Sequence, residues 1–496
     1  MEQIGFDSDK YLRMQPEKIK ERIDLFGGKL YLEFGGKLFD DYHAARVLPG
    51  FKPDSKVKML MELSRDTEIV IVISADDIER NKLRGDFGIT YDQDVLRLID
   101  AFRECGLYVG SVVMTHYREQ AAAELFEKRL QALGVSVYRH YVIPDYPANV
   151  PLIVSDEGFG KNDYIETTHS LVVVTAPGPG SGKMATCLSQ LYHDHRRGIR
   201  SGYAKFETFP IWNLPLKHPL HLAYEAATAD LSDVNMIDNY HLDAYGETTV
   251  NYNRDIEIFP VLRTILERIS DGEPPYRSPT DMGVNMVGYC ITDDELCSRA
   301  SEQEIVRRYF DAMCGYRMGT SEQSEVLKIE LLMNQIGIAD TDRPVVAPAR
   351  ERAKLTGEPA FAIELTDGTI VTGKTSALLG PASACLLNAL KTLAGLDDAI
   401  LVIAPEVIEP IQRLKVDHME SRNPRLHTDE VLIALAISAV NDENAAAAMA
   451  MLSKLEGCEA HSTVILSRVD ETVFRNLGVN VTCDPEYQRQ RLYHGN

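Results

Sequence analysis

The stretch Leu171 to Thr186, LVVVTAPGPGSGKMAT, decides how the rest of the chain is read. Leu171 to Thr175 are continuously apolar or β-branched, which suits a buried strand in a parallel sheet covered on both faces. Gly178, Gly180 and Gly182 follow without Cβ atoms, so the backbone between them can reach positive φ and gather N–H groups around an anion. From Lys183 the spacing of Met184, Leu188 and Leu191 predicts a helix, with Gly198 as its stop. A phosphate at that helix start would meet unpaired N–H groups, the positive end of the helix dipole and the Lys183 ammonium. The match to the GxxxxGK[ST] pattern is incomplete. Pro177 stands at the first glycine and Met184 where a hydroxyl would hold magnesium, with Gly178 and Thr186 close by but displaced. Gly178, Gly180, Ser181, Gly182, Lys183 and Thr186 therefore form a candidate phosphate cradle; the same pattern also fits a strand-to-helix turn without a ligand.

Working outward, the same rhythm recurs. Leu30 to Phe34, Glu68 to Ser74, Leu107 to Met114 and Val135 to Val142 read as strands, and Tyr91 to Arg103 and 118–134 carry helical spacing. A short helix is expected to start with Pro16 and to stop at Gly27 and Gly28. Strands alternating with helices predict an α/β fold built on a doubly wound, largely parallel sheet. Ligands of such sheets lie beyond the carboxyl ends of the strands. Three polar turns fall there: the glycine loop, the Gly35-Gly36-Lys37 turn, and the tail after Ser74 with Asp76, Asp77, Glu79, Arg80, Asn81 and Lys82. The Gly35 turn is a second candidate anion site, and Asp40, Asp41, His43 and Arg46 beside it read either as active-site groups, with Asp41 and His43 catalytic, or as a hydrogen-bonded turn network.

Downstream, Asp230, Asp233 and Asp238 are the nearest carboxylates that could hold a magnesium ion on a bound triphosphate; helix caps and solvated turns are the alternative. His218 and His221 have no HExxH context and no third ligand at a convincing spacing, so no zinc site is expected. Tyr276 to Asn285 reads as a structured loop in which Arg277, Ser278, Thr280, Asp281 and Asn285 could recognise a polar substrate. Asp293 to Ile338 reads as helical. A boundary near 345 gives three parts: 1–270, an α/β phosphate- or nucleotide-binding domain; 271–344, a structured loop and helical connection; and 345–496, a smaller α/β domain. In the last, 361–374 reads as a hairpin turning at Asp367 and Gly368, 399–405 as a strand, and Thr375 or Ser376 of TGKTS as a helix N-cap.

The 496 residues, 45% of them hydrophobic and 25% charged, can bury more than one core and argue against disorder. A net charge of −22, from 52 basic and 74 acidic residues, disfavours nucleic acid and anionic membranes as partners, while one local cradle can still hold a small anion. Eight scattered cysteines without a CxxC pair read as the reduced inventory of a cytoplasmic protein. Neither a targeting segment nor a membrane-length apolar run is apparent.

The chain resembles a conserved bacterial family of functionally uncharacterised proteins through LYLEFGGKLFDDYHAARVLPGF, APGPGSGKMATCLSQLYHD, SPTDMGVN and DGTIVTGKTS, and the likeness runs over essentially its full length. Some members of that family carry the label of an ATP-dependent zinc protease, for which this sequence has no HExxH helix. From the residues themselves, the expectation is an enzyme that binds ATP or another nucleotide, or a phosphorylated metabolite, with magnesium, and performs phosphoryl transfer or ATP-dependent ligation. Lys183 would neutralise phosphate charge, and the Gly35 turn and Arg277 would hold the substrate. A non-catalytic regulatory protein using the same cradle is the alternative. A homo-oligomer is the expected assembly.

Overall fold

The computed structural model describes residues 4–36, 38–39, 41–84, 88–270, 272 and 275–488, so Lys37 and Asp40 lie outside the described residues. Its strands in chain order are β1 (Leu30–Phe34), β2 (Thr67–Ser74), β3 (Leu83–Arg84), β4 (Ile89–Thr90), β5 (Tyr108–Tyr117), β6 (Ser136–Tyr141), β7 (Leu171–Thr175) and β8 (Gly202–Phe206). Then come β9 (Asn235–Ile237), β10 (Val250–Tyr252), β11 (Gly283–Val284), β12 (Ala360–Glu364), β13 (Ile370–Lys374), β14 (Glu459–Ser462) and β15 (Asn480–Cys483). The chain divides into two compact units, one of residues 1–225 with 232–301 and one of 226–231 with 302–496.

The first unit is built on a seven-stranded sheet in the order β11-β8-β1-β7-β2-β5-β6, with every neighbouring pair parallel. β1, β2 and β7 are buried along their whole length, the reason their sequences are nearly unbroken apolar runs. On one face Tyr31, Val70, Val172 and Val174 pack with Cys187 and Leu188 of the helix Lys183–Arg196 and with Phe259 and Leu262 of the helix Asn253–Ser270. Parallel pairing puts all the carboxyl ends at one edge. The connection that leaves β7 returns at β8, to one side, whereas that leaving β2 returns at β5, to the other. The chain therefore switches direction between β7 and β2, which opens a crevice at the carboxyl edge.

The first helix is longer than its sequence signals predict. It runs Ser8–Leu25 from an Asp7 cap whose carboxylate accepts the Lys10 N–H, and Pro16 lies inside it. Tyr11, Gln15, Ile19 and Ile23, four residues apart, are its buried stripe, and their burial outweighs the one backbone bond that the proline removes. The loop read at Tyr276 to Asn285 contains the short helix Pro279–Met282 and the edge strand β11, so this part of 271–344 belongs to the first sheet.

The second unit has a four-stranded sheet, β13-β12-β14-β15, antiparallel except between β14 and β15. The hairpin turns where expected: Gly368 has φ +84° and the Asp367 carboxylate accepts the Thr369 N–H. Two expectations are corrected. The segment 399–405 forms no strand; Val402 and Ile403 are buried in irregular backbone ahead of the helix that opens at Pro405. Neither Thr375 nor Ser376 caps the next helix, which starts at Pro381 behind Gly380. Thr375 Oγ1 donates to Pro359 O, and Ser376 Oγ accepts from the Leu378 and Leu379 N–H groups. Gly373 is needed for another reason, since a Cβ there would stand 2.2 Å from the Cys385 backbone nitrogen. The TGKTS stretch is a strand end packed on a helix. Among the described residues no helix is long and apolar enough to cross a membrane.

Candidate functional site

The helix Lys183–Arg196 begins at Gly182, whose φ of +89° suits a residue without Cβ, and no side chain caps it. The Thr186 N–H is the first to enter the helical ladder, bonding Gly182 O at 3.0 Å, so the N–H groups of Lys183, Met184 and Ala185 are the orphan donors of a helix start. The Ser181 and Thr186 hydroxyls are engaged within the loop. The Ser181 hydroxyl donates to Gly178 O at 2.7 Å and that of Thr186 to Gly182 O at 3.0 Å, which tightens the loop. Thr115 Oγ1 donates to Ser181 O at 2.7 Å and ties the loop to the end of β5. Gly178 allows the Tyr91 ring to approach, for a Cβ would lie 2.2 Å from its Oη.

Gly180 to Lys183 line a cavity of about 570 Å³ in the crevice at the switch point, within the roughly 300–1,000 Å³ usual for small-ligand sites. Its other walls come from four more strand ends: Glu33 on β1, Asp76 after β2, Thr115 and His116 at the end of β5, and Tyr141 and Tyr146 at and beyond β6. Lys183 makes no hydrogen bond or ion pair with the described residues, whereas Arg118 pairs with Asp76 at 3.1 Å. His140, also lining, has its Nε2 3.3 Å from Asp163 O. Burial pulls its pKa down to about 3, so it stays neutral at physiological pH. The Tyr146 hydroxyl is buried with no hydrogen-bond partner among the described residues, and burial, then the Glu33 charge, push its pKa up. It remains a proton donor.

A second polar group lies at the ends of β1 and β8. Lys205 Nζ sits 2.9 Å from Glu207 Oε1 and 2.6 Å from Asp255 Oδ2. Burial pushes the Glu207 pKa up to about 7 against the pull of Lys205, which Asp255 shares. Gly35 makes room for Glu207, whose Cγ would be 2.8 Å from a Cβ. Gly36, at φ +70°, has the buried Lys56 ammonium beside it. That ammonium is held by Asp41 at 2.6 Å. Asp41 also caps the helix Tyr42–Val47 by accepting the Ala44 N–H. Burial works to raise the Asp41 pKa, but Lys56, with His43 and the Ala44 N–H, outweighs it and the net shift is downward. The His43 ring packs on Phe209 and Tyr224. Gly35, Gly36, Asp41 and His43 are thus gathered with Glu207 and Lys56, and none of these described residues lines the cavity.

The other candidates are dispersed. Asp238 caps the helix Asn239–Tyr245 and accepts from the Thr280 N–H and hydroxyl. Asp233 pairs with Arg254 at 3.3 Å, and Asp230 is exposed in a short turn of the other unit. Among the described residues no group of three or more His, Cys, Asp or Glu is gathered as a metal cage. Arg277 is exposed, its N–H bonded to Asp281 and its guanidinium 5.4 Å from the centre of the Tyr245 ring. His221 is spent on Ile211 and Pro215 backbone groups, and burial brings its pKa down to about 4. The cavity residues that sequence reading passes over are Glu33, Thr115, His116, His140 and Tyr146. One signal was available, a glutamate inside the otherwise apolar strand LYLEF.

Comparison with known proteins covers nearly the whole chain. The family model described as domain of unknown function DUF1846, N-terminal, matches residues 4–337, and its C-terminal counterpart matches 341–493. A UPF0371 protein of Streptococcus thermophilus is 60% identical over 493 residues, 99% of this chain and 100% of that protein. One of Corynebacterium urealyticum is 59% identical over 491 residues, 99% of each chain. One of Streptococcus pneumoniae is 59% identical over 493 residues, 99% of this chain and all of its own.

Proposed function

The chain belongs to the DUF1846 family along nearly its whole length, and we propose that the cavity at its sheet edge binds a nucleotide or another phosphorylated metabolite, for phosphoryl transfer or ATP-dependent ligation with magnesium. One observation carries the reading: a helix start with no side-chain cap, opening at left-handed Gly182, lines a ligand-sized cavity together with an ammonium that has no partner of its own among the described residues. Anion, dipole and lysine charge complement one another there. Lys183 neutralises the phosphate, the N–H groups of residues 183 to 185 orient it, and the remaining walls hold the second reactant. Positioning and charge neutralisation are what phosphoryl transfer asks of a protein.

The test is thermal unfolding of the full chain against nucleotides, pyrophosphate and phosphorylated metabolites, with and without magnesium. A ligand at a hundred times its Kd should stabilise the protein by about 2.7 kcal/mol, and Lys183→Ala should lose that shift while unfolding like the wild type without ligand. No shift with any phosphate compound sinks the reading. Binding without turnover over a broad substrate panel selects the regulatory alternative.

A further inference from the structure

We propose that Glu33 is the carboxylate that holds a divalent cation of the magnesium class on the phosphate bound at Gly180 to Lys183; this rests on the phosphate reading and adds to it a cation site. Glu33 is paired in register with Val174 of β7 on one side and with Lys205 of β8 on the other. Val174 stands one residue before the end of β7, from which the glycine loop departs. Side chains two apart on a strand share a face, and Tyr31, two residues before Glu33, packs in the core with Val174, Cys187 and Leu188. Glu33 therefore shares the face that the helix Lys183–Arg196 covers. The buried Cys187 thiol in the first turns of that helix feels both groups: after burial, Glu33 pushes its pKa up and Lys183 pulls it down. Carboxylate and ammonium thus converge on the same helix start and line the same cavity.

Glu33 is 9% exposed, and among the described residues its one hydrogen bond comes from a neutral group, the Tyr203 hydroxyl, at 2.7 Å to Oε2. It has no ion pair among the described residues. The nearest strand cation by register, Lys205, is engaged by Glu207 and Asp255. A buried charge of this kind is ordinarily paired or bound to a metal. Magnesium keeps several waters and takes only one or two carboxylates besides the phosphates themselves, so one well-placed glutamate is enough and no three-carboxylate cage is needed. The unpartnered Tyr146 hydroxyl in the same cavity supplies a donor for a phosphate oxygen.

Calorimetric titration of the full chain with inorganic pyrophosphate, with and without magnesium chloride, tests this. In the wild type magnesium should tighten binding by roughly tenfold or more, which is about 1.4 kcal/mol. Glu33→Gln should lose the magnesium effect and keep or improve metal-free binding. Glu33→Asp, whose shorter carboxylate still ligates, should keep a reduced effect, and it carries the test if circular dichroism shows Glu33→Gln unfolded. A magnesium effect unchanged in these variants, or wild-type pyrophosphate binding indifferent to magnesium, overturns the cation site and leaves the phosphate reading standing. Pyrophosphate binding in neither condition overturns both.

Discussion

Lys205→Met is expected to destabilise the first unit by about 3 kcal/mol or more, the range in which removing one partner of a buried ion pair falls. The Lys205 ammonium is bonded to two largely buried carboxylates, Glu207 and Asp255. Its removal leaves both without their ion-pair partner, and Met fills similar volume, so packing alone cannot account for the loss. Urea unfolding of the full chain reads the effect, and Lys205→Met combined with Glu207→Gln should recover a sizeable part of it, because one stranded charge is then gone. A Lys205→Met protein within ~1 kcal/mol of the wild type would show that water screens the cluster fully. The same group sets a pH dependence. The folded-state pKa of Glu207 lies at about 7, above its ordinary 4.5, so the folded state binds the proton more tightly than the unfolded chain. The stability this gives is fully present below about 4.5 and is lost as pH rises through about 7. Glu207→Gln should flatten that slope.

Arg343→Met should cost the second unit about 3–5 kcal/mol. The Arg343 side chain is fully buried and its planar fork does four things at once. Nε donates to Thr482 Oγ1 at 3.0 Å, Nη2 to Ala460 O at 3.1 Å and Asn480 O at 2.8 Å, and Nη1 stands 2.5 Å from Glu459. These groups lie on β14 and β15, the parallel pair of the sheet. Burial draws the guanidinium's pKa down, and Glu459 only partly offsets this, so the residue is held by geometry as much as by charge. Glu459 also has Arg307 2.9 Å away and Ala460 O also accepts from the Thr482 hydroxyl, so what the variant loses is the guanidinium's bridge between β14 and β15. Arg343→Lys should lose most of the same stability, because an ammonium cannot span those acceptors. Amide hydrogen exchange at β14 and β15, which reads one unit separately from the other, should accelerate in both variants; protection as in the wild type would contradict the role given to Arg343.

The two clusters sit on residues that local sequence patterns pass over. Lys205 and Glu207 alternate with Ala204, Phe206 and Thr208 as any half-exposed strand end would, and Arg343 stands in a polar, proline-bearing stretch at the expected boundary near 345. Where the pattern is strong, sequence and structure agree closely. Leu30 to Phe34 and Leu171 to Thr175 are strands with those bounds, and the glycine loop gives way to a helix at Lys183. Where it is weak they part. Pro16 looks like a helix start because proline is tolerated there, yet the buried stripe of Tyr11, Gln15, Ile19 and Ile23 carries the helix through it. Asp230, Asp233 and Asp238 look alike along the chain, and neighbours far away in sequence assign them an exposed turn, an arginine partner and a helix cap.

By itself the sequence determined the α/β class, the parallel strands, the family, and a glycine-rich turn that delivers Lys183 to a helix start. All of these depend on residues within one turn or one strand of each other, where apolar period and glycine freedom act directly. The tertiary structure alone decided that β7 inserts between β1 and β2, because which buried strand lies beside which is settled by packing over the whole sheet. That insertion reverses the chain's direction beside the glycine loop and brings Glu33, some 150 residues earlier, beneath the same helix start. The cavity and the glutamate that lines it follow from strand order, a non-local property that no single stretch of the chain contains.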